Sequence, residues 1–137
     1  MTKEKTNTST QLQKDTTPIP EATQALLTTI EEALLDKKGE DILRLDVRGL
    51  TSLTDFFIVC HASTDVQIKA LADSVSKSTR EKIGETVWKK EGLDTKRWVI
   101  LDYVNVVVHI FNEELRSFYN LEKMWNDAVI TRIEETH

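Results

Sequence analysis

The sequence predicts a mixed α/β (α+β) domain in which helices cover both faces of a five-stranded sheet. Residues 98–101 and 106–111, WVIL and VVVHIF, are rich in β-branched and apolar side chains and flank a short polar corner, which predicts a β-hairpin. The second run is apolar at nearly every position, as expected of a strand that is buried on both faces. Apolar residues at helical spacing before and after the strands predict the helices that cover those faces.

The first part of the chain predicts one helix followed by two strands. The helix begins at Glu21, and Gly39 is expected to close it in the left-handed conformation. Residues 42–47 and the fully apolar residues 56–60 predict the first two strands, with a polar connection at residues 49–55. The helix is indicated by five apolar residues at helical spacing: Leu26, Leu27, Ile30, Ala33 and Leu34.

The middle of the chain predicts a long second helix. Residues 63–65, Ser-Thr-Asp, are typical of a helix start, and an apolar stripe continues from them to Gly84, where the helix is expected to stop. Residues 85–90 predict a third strand. The hairpin strands then complete a sheet of five.

A last helix is expected to follow the hairpin. Asn112 is a predicted N-cap, and Glu113 and Glu114 place negative charge on the first turn, where the helix dipole favours it. The helix is expected to break near Asn120 and to continue toward Glu134. The predicted order of elements is therefore α-β-β-α-β-β-β-α.

The length and composition indicate one domain with a short tail. A chain of 137 residues can bury a modest single core. Residues 1–20 are rich in Thr, Ser, Gln and Lys and nearly lack large apolar groups, so a disordered tail is expected there. Ordering of that tail on a partner is the alternative. Residues 21–137 are predicted to form the domain.

The charge of the chain is acidic and unevenly distributed. Eighteen basic residues against 23 acidic ones give a net charge of −5, and because residues 1–20 carry +1, the rest of the chain carries −6. Nucleic-acid binding depends on Lys and Arg opposite phosphates, so we expect little direct contact with nucleic acid. A basic protein partner suits the sign better.

Cysteine usage and hydropathy favour the bacterial cytoplasm. Cys60 is the sole cysteine, so neither an internal disulfide nor a site with several thiolates is possible. No apolar run approaches the roughly 18 residues of a membrane helix. The N-terminus lacks the apolar core of a secretory signal.

Candidate catalytic residues lack the arrangement that their chemistry needs. Nucleotidyl transfer requires carboxylates spaced to hold Mg²⁺ against phosphates, whereas Asp46 and Asp55 stand alone. Cys60, His61 and His109 suggest a Cys-His hydrolase, but Cys60 ends an apolar strand, where a free cysteine behaves as a small hydrophobe. The three histidines lack metal-ligand spacing. We therefore predict no enzyme activity, no cofactor and no metal.

Four residues of the hairpin form the predicted partner-binding site: Trp98, Asp102, Tyr103 and Asn105. On a two-residue period Trp98 and Asp102 share one face of the first hairpin strand, which is unusual for a pure core face. Trp and Tyr are common anchors of interfaces, and an acidic rim suits a basic partner. The alternative is that Trp98 only covers the core beneath a helix.

Several blocks of sequence resemble the ribosome-silencing factor (Iojap) family. They are EDILRLDVRGLTSLTDFFIVCHASTD (residues 40–65), WVILDY, VVVHIF and FYNLEKMW, in the family's order, and the likeness covers roughly residues 25–127. Two positions depart from the pattern. The family usually has Gly-Asp where this chain has Val104-Asn105, and it often has Arg where this chain has Val66.

The resemblance implies a fold similar to that of nucleotidyltransferases, without their catalytic residues. It also implies binding to the large ribosomal subunit through its fourteenth ribosomal protein. The bound domain would block joining of the small subunit and so repress translation when nutrients are scarce. The resemblance favours partner contact, rather than core packing alone, for the hairpin site.

Two other functions stay open from the sequence alone. One is a nucleotidyltransferase or hydrolase on the same scaffold. The other is a homodimeric scaffold without a ribosomal role. Tyr119 and Trp125 lie at helical spacing, where packing in the core is the simplest interpretation, with one edge left for a dimer.

Overall fold

The computed structural model describes residues 17–135, which form a six-stranded mixed sheet with helices. The elements in chain order are α1 (Glu21–Asp36), β1 (Glu40–Asp46), β2 (Phe56–Ala62), α2 (Asp65–Ile83), β3 (Lys89–Glu91), β4 (Trp98–Asp102), β5 (Val106–Asn112), α3 (Glu113–Tyr119), α4 (Leu121–Met124) and β6 (Val129–Arg132).

The strands lie in the order β3-β4-β5-β2-β1-β6. The predicted hairpin is confirmed, since β4 pairs with β5 antiparallel and Trp98 lies opposite Phe111. The pair β5–β2 at the centre of the sheet is parallel, and the other four pairs are antiparallel. The mixed sheet is therefore confirmed, although with six strands rather than five.

Helices cover both faces of the sheet, as the sequence predicts. On the first face, α1 and α2 pack on alternate side chains of β2, β4 and β5 and form the larger core with them. Its members include Leu27 and Leu71 on the helices and Ile58, Leu101 and Val108 on the strands. On the second face, α3 and α4 pack over a smaller core, whose members are Leu43, Leu45, Val47, Val59, Phe111, Leu121 and Ala128. Burial on both sides explains why β2 and β5 are apolar at nearly every position.

The ends of α2 follow the sequence prediction. The side chain of Thr64 accepts a hydrogen bond from the backbone N–H of Gln67, and Gly84 ends the helix in the left-handed region with φ of 67°. Asn112 likewise caps α3, where its side chain accepts from the N–H of Glu114.

The prediction for the end of α1 is wrong by one residue. Lys38, not Gly39, takes the left-handed conformation, with φ of 64°. Gly39 is needed for a different reason, because a Cβ there would lie 3.2 Å from the Leu34 carbonyl oxygen and 3.3 Å from the Leu71 side chain. A side chain at this position would require Leu34 or Leu71 to shift by a few tenths of an ångström.

The predicted C-terminal helix is confirmed at its start and at its break near Asn120, but its continuation toward Glu134 is wrong. Asn120 breaks it with φ of 48°, α4 lasts one turn, and the chain then forms β6 instead of continuing as a helix toward Glu134. β6 pairs antiparallel with β1, with Val129 opposite Asp46, and is the missed sixth strand. The third strand is shorter than predicted: it spans Lys89–Glu91, not residues 85–90.

The predicted tail lies mainly outside the described residues, which begin at Thr17. The Thr17 carbonyl accepts a hydrogen bond from Arg48 at 2.8 Å, and Ile19 packs against the larger core. In the part of the chain from 17 to 135, no helix has the length and apolar character needed to cross a bilayer.

Candidate partner-binding surface

The two faces of the hairpin differ in how completely helices cover them. On the first face, Val99, Leu101 and Val108 are fully buried. On the second face, Ile100 and Val107 are only half-buried and belong to neither core. The short helices α3 and α4 therefore leave part of this sheet face uncovered.

Three rows of side chains cross the second face from β4 through β5 to β2. The row at the hairpin turn holds Asp102, Val107 and Phe57, which are all half-buried. The next row is Ile100, His109 and Val59, and the last, beside α3, is Trp98, Phe111 and His61. We call Trp98, Ile100, Asp102, Val107 and Phe57 the open strip. The row at the hairpin turn is the most exposed of the three.

Trp98 belongs both to a core and to the surface. Its ring stacks on Phe111 with centroids 4.8 Å apart and lies 4.7 Å from the ring of Tyr119. Its indole Nε1–H donates a hydrogen bond to Nδ1 of His109 at 3.0 Å. The side chain is nevertheless only half-buried. Packing and this hydrogen bond together hold the indole in one orientation while part of the ring stays accessible.

His109 lies beneath the open strip. It is 7% exposed, and its ring meets that of Phe57 edge-on at 5.2 Å. Burial disfavours the charged imidazole and lowers the pKa of His109 to about 4. Because Nδ1 accepts from Trp98, the proton of the neutral ring is on Nε2, which has no hydrogen-bond partner among the described residues.

Asp102 lies at the turn end of the strip and holds the hairpin turn. Its Oδ1 accepts from the backbone N–H of Val104 at 2.7 Å, and across the sheet it is paired with Lys89. Val104 takes the left-handed conformation with φ of 77° and is 59% exposed. A β-branched residue is strained there.

The structure does not bring Tyr103 and Asn105 to the open strip. Tyr103 is buried on the first face, where its hydroxyl lies 2.8 Å from Oγ1 of Thr79, and burial raises its pKa. The Asn105 side chain donates to Oγ1 of Thr23 on α1 at 3.0 Å. Both residues tie the hairpin turn to the helices of the first face.

Several exposed apolar residues are absent from the predicted site. Phe118 is 78% exposed, Met124 65% and Leu53 81%. Met124 also lines a hollow of about 140 Å³ together with Leu50, Trp125 and Asp127. Helical spacing places Phe118 in one stripe with Leu115, but Leu115 packs against the second core whereas Phe118 is exposed. No feature of the neighbouring sequence predicts that Phe118 is exposed.

The candidate catalytic residues do not meet. Cys60 and His61 point to opposite faces of β2, and burial raises the Cys60 pKa to about 12, so its thiol is protonated and inert. Nδ1 of His61 lies 2.9 Å from the buried guanidinium of Arg116. Asp46 pairs with Arg48 at 2.8 Å. Within residues 17–135 no three His, Cys, Asp or Glu side chains are grouped to hold a metal.

Comparison with known proteins gives the family. Residues 20–137 match the family described as "Ribosomal silencing factor during starvation". A Bacillus subtilis protein named ribosomal silencing factor is 40% identical over 111 residues, which cover 81% of this chain and 93% of that protein. This chain belongs to the ribosomal silencing factor family. A chloroplastic protein of Zea mays named Iojap is also 40% identical, over 73% of this chain and 43% of its own length.

Solved structures of similar proteins have the same fold as this chain. A crystal structure from Chromobacterium violaceum aligns with a TM-score of 0.72 at 38% identity and covers 75% of this chain and 85% of that one. One from Bacillus halodurans aligns with a TM-score of 0.68 at 36% identity and covers 82% of this chain and 99% of that one.

Proposed function

We propose that this protein binds the large ribosomal subunit through its fourteenth ribosomal protein and blocks joining of the small subunit, so that translation is repressed under nutrient limitation. The single observation that carries the proposal is the uncovered apolar strip on a domain whose family is named for ribosomal silencing. A sheet face that a domain leaves half-exposed is suited to burial by a partner.

Trp98 and Asp102 are the proposed contacts. Trp98 offers a rigid ring that is already held by Phe111 and Tyr119, so little conformational entropy is lost when a partner covers it. Asp102 adds a carboxylate at the turn end of the strip, where it can meet a basic group. Tyr103 and Asn105 are proposed to act indirectly, because they anchor the turn that carries Asp102.

The charge of the chain supports a protein partner more than an RNA partner. The net charge of −5 favours approach to a basic ribosomal protein and opposes close contact with phosphates. A ribosomal target implies action in the cytoplasm. The exposed Phe118 and Met124 are candidates for contact between two copies in a free homodimer.

The proposed mechanism is steric and makes or breaks no bond. A bound domain occupies the surface on which the small subunit docks, so each large subunit is silenced by one bound protein. The inert Cys60 thiol and the isolated Asp46 carboxylate, which is committed to Arg48, agree with a role without catalysis. Subunits that are already joined should resist, because the contact surface is covered.

Titration of the protein into purified subunits tests this proposal. Inhibition of joining should follow occupancy and reach its plateau at about one protein per large subunit, without added nucleotide. Removal of the protein should restore joining. Silencing that persists far below this ratio, or that grows with incubation time, would contradict the steric mechanism and favour an enzyme.

The contact surface needs its own control. At concentrations that just saturate the unchanged protein, much less of the Trp98→Ala protein should sediment with large subunits. Trp88→Ala is a matched variant, since Trp88 is 68% exposed outside the strip. Equal loss of binding in both variants would move the contact surface away from the strip.

A further inference from the structure

His109 is a polar side chain in apolar surroundings. It lies between Ile100 on β4 and Val59 on β2, with Phe57 against its ring, and 7% of it is exposed. The neighbouring positions along β5 on the same face are Val107 and Phe111. An aliphatic residue of similar size would fill this space without a buried N–H that lacks an acceptor.

The described structure gives the ring of His109 one hydrogen bond, and that bond is to Trp98. Nδ1 accepts from the indole Nε1–H at 3.0 Å, whereas Nε2 has no partner among residues 17–135. With a pKa lowered to about 4, the ring is neutral at physiological pH, and only one of its two tautomers can accept at Nδ1. The ring of His109 is therefore in the neutral form with its proton on Nε2, which leaves Nδ1 free to accept from Trp98.

Stacking alone does not set which edge of the Trp98 indole faces outward. The ring is half-buried, so after a rotation its N–H could reach water instead of His109. Rotation would exchange the N–H edge and the carbon edge at the surface of the open strip. The bond to His109 is the directional contact that opposes this exchange.

We propose that His109 is the positioning residue of the partner-binding surface: it keeps the Trp98 N–H turned inward, so that the indole presents only ring carbons to the partner. This inference rests on the proposed function. It also defines the chemistry of the partner group that covers Trp98. That group packs on the ring as an apolar side chain or as the aliphatic stem of a basic one, and it does not accept a hydrogen bond from the indole.

A double-mutant cycle separates positioning from general packing. His109→Leu removes the acceptor and keeps an apolar side chain, and Trp98→Phe removes the donor and keeps an aromatic ring. His109→Leu should weaken binding to purified large subunits roughly tenfold when Trp98 is present, but less than about twofold in the Trp98→Phe protein. His109→Asn, whose amide oxygen can replace Nδ1 as acceptor, should recover part of the loss.

The indole N–H signals of Trp88, Trp98 and Trp125 report the positioning directly. In ¹⁵N-labelled protein, Trp98→Phe identifies the Trp98 signal, which should exchange slowly with solvent and then shift and exchange faster in His109→Leu. The Trp88 signal should not move. Circular dichroism melts show whether each variant folds, and His109→Val, which also lacks an acceptor, replaces His109→Leu in both measurements if the latter does not.

Each outcome decides a different part of the proposal. An unchanged Trp98 signal in a folded His109 variant that lacks an acceptor overturns the positioning role, as does a loss of binding that is equal with Trp98 and with Phe at position 98. If the unchanged protein fails to bind large subunits, the proposed function is overturned. The indole signal then still decides whether His109 orients Trp98.

Discussion

The two faces of strands β4 and β5, which carry alternate residues of the same sequence, differ in how completely helices bury their side chains. Toward α1 and α2, helices of 16 and 19 residues, the side chains of Val99 and Leu101 are fully buried. Toward α3 and α4, helices of seven and four residues, Ile100 and Asp102 remain half-exposed. The length of the covering helices, rather than the composition of the strand, determines which face is stable core and which is available to a partner.

The largest expected effect comes from the buried face. Leu101→Ala should lower the free energy of unfolding by about 3 kcal/mol, because it leaves a cavity in the larger core. Ile100→Ala, one position away on the open strip, should lower it by about 1 kcal/mol or less. Urea denaturation measures both values. Equal losses would show that the two faces do not differ in packing.

Acid should destabilise the folded protein through His109, which lies beneath the open strip. Its pKa of about 4 in the folded protein lies below the ordinary value of 6.5, so the unfolded chain takes up the proton first. The contribution of His109 to the free energy of unfolding is fully present above pH 6.5 and is lost as the pH falls toward 4. The total loss is about 3 kcal/mol.

Unfolding free energies measured at several pH values test this effect. His109→Leu is the control, because it retains all other titrating groups. The free energy of unfolding of the unchanged protein, relative to that of His109→Leu, should fall as the pH is lowered from 6.5 to 4 and stay constant above pH 6.5. A difference that stays constant would mean that His109 is not desolvated.

Trp98→Ala should separate binding from folding. We expect a loss of about 2 kcal/mol in binding to large subunits, the size of an interface hot spot. Isothermal titration calorimetry measures the binding, and a circular dichroism melt tests the fold. If the variant is unfolded, Trp98 serves the second core instead of the partner; if it folds and binds unchanged, the open strip is not the contact.

The smallest effect concerns the turn that joins the two strands. Val104→Gly should stabilise the protein by about 0.5–1 kcal/mol, because glycine adopts the φ of 77° without strain. Val104→Ala should give a smaller gain, since it removes the β-branch but keeps the Cβ atom. Thermal melts of the three proteins should rank Gly above Ala above Val, and the opposite ranking would mean that the turn is not strained.

Features set by neighbouring residues could be predicted from the sequence. The hairpin, the Thr64 cap and the Gly84 stop depend on short segments, and the structure confirms them. The position of Trp98 and Asp102 on one face follows from the two-residue period of a strand.

Features set by distant residues could not be predicted in this way. β6 has only four residues, and its partner β1 lies about 80 residues earlier in the chain. No local pattern therefore distinguishes β6 from the end of a helix. The contact of Tyr103 with Thr79 depends on where α2 lies. The bond between Trp98 and His109 requires the hairpin register, which places them in adjacent rows.

The central parallel pair has a consequence for the synthesis of this protein. Phe56 on β2 is paired with Val106 on β5, about 50 residues later in the chain. Contacts so distant in sequence form slowly, and the sheet cannot close until β5 has left the ribosomal exit tunnel. Because Trp98 is held by residues of β5 and α3, the open strip also forms only then. The surface proposed to bind the partner is therefore complete only late in the synthesis of the chain.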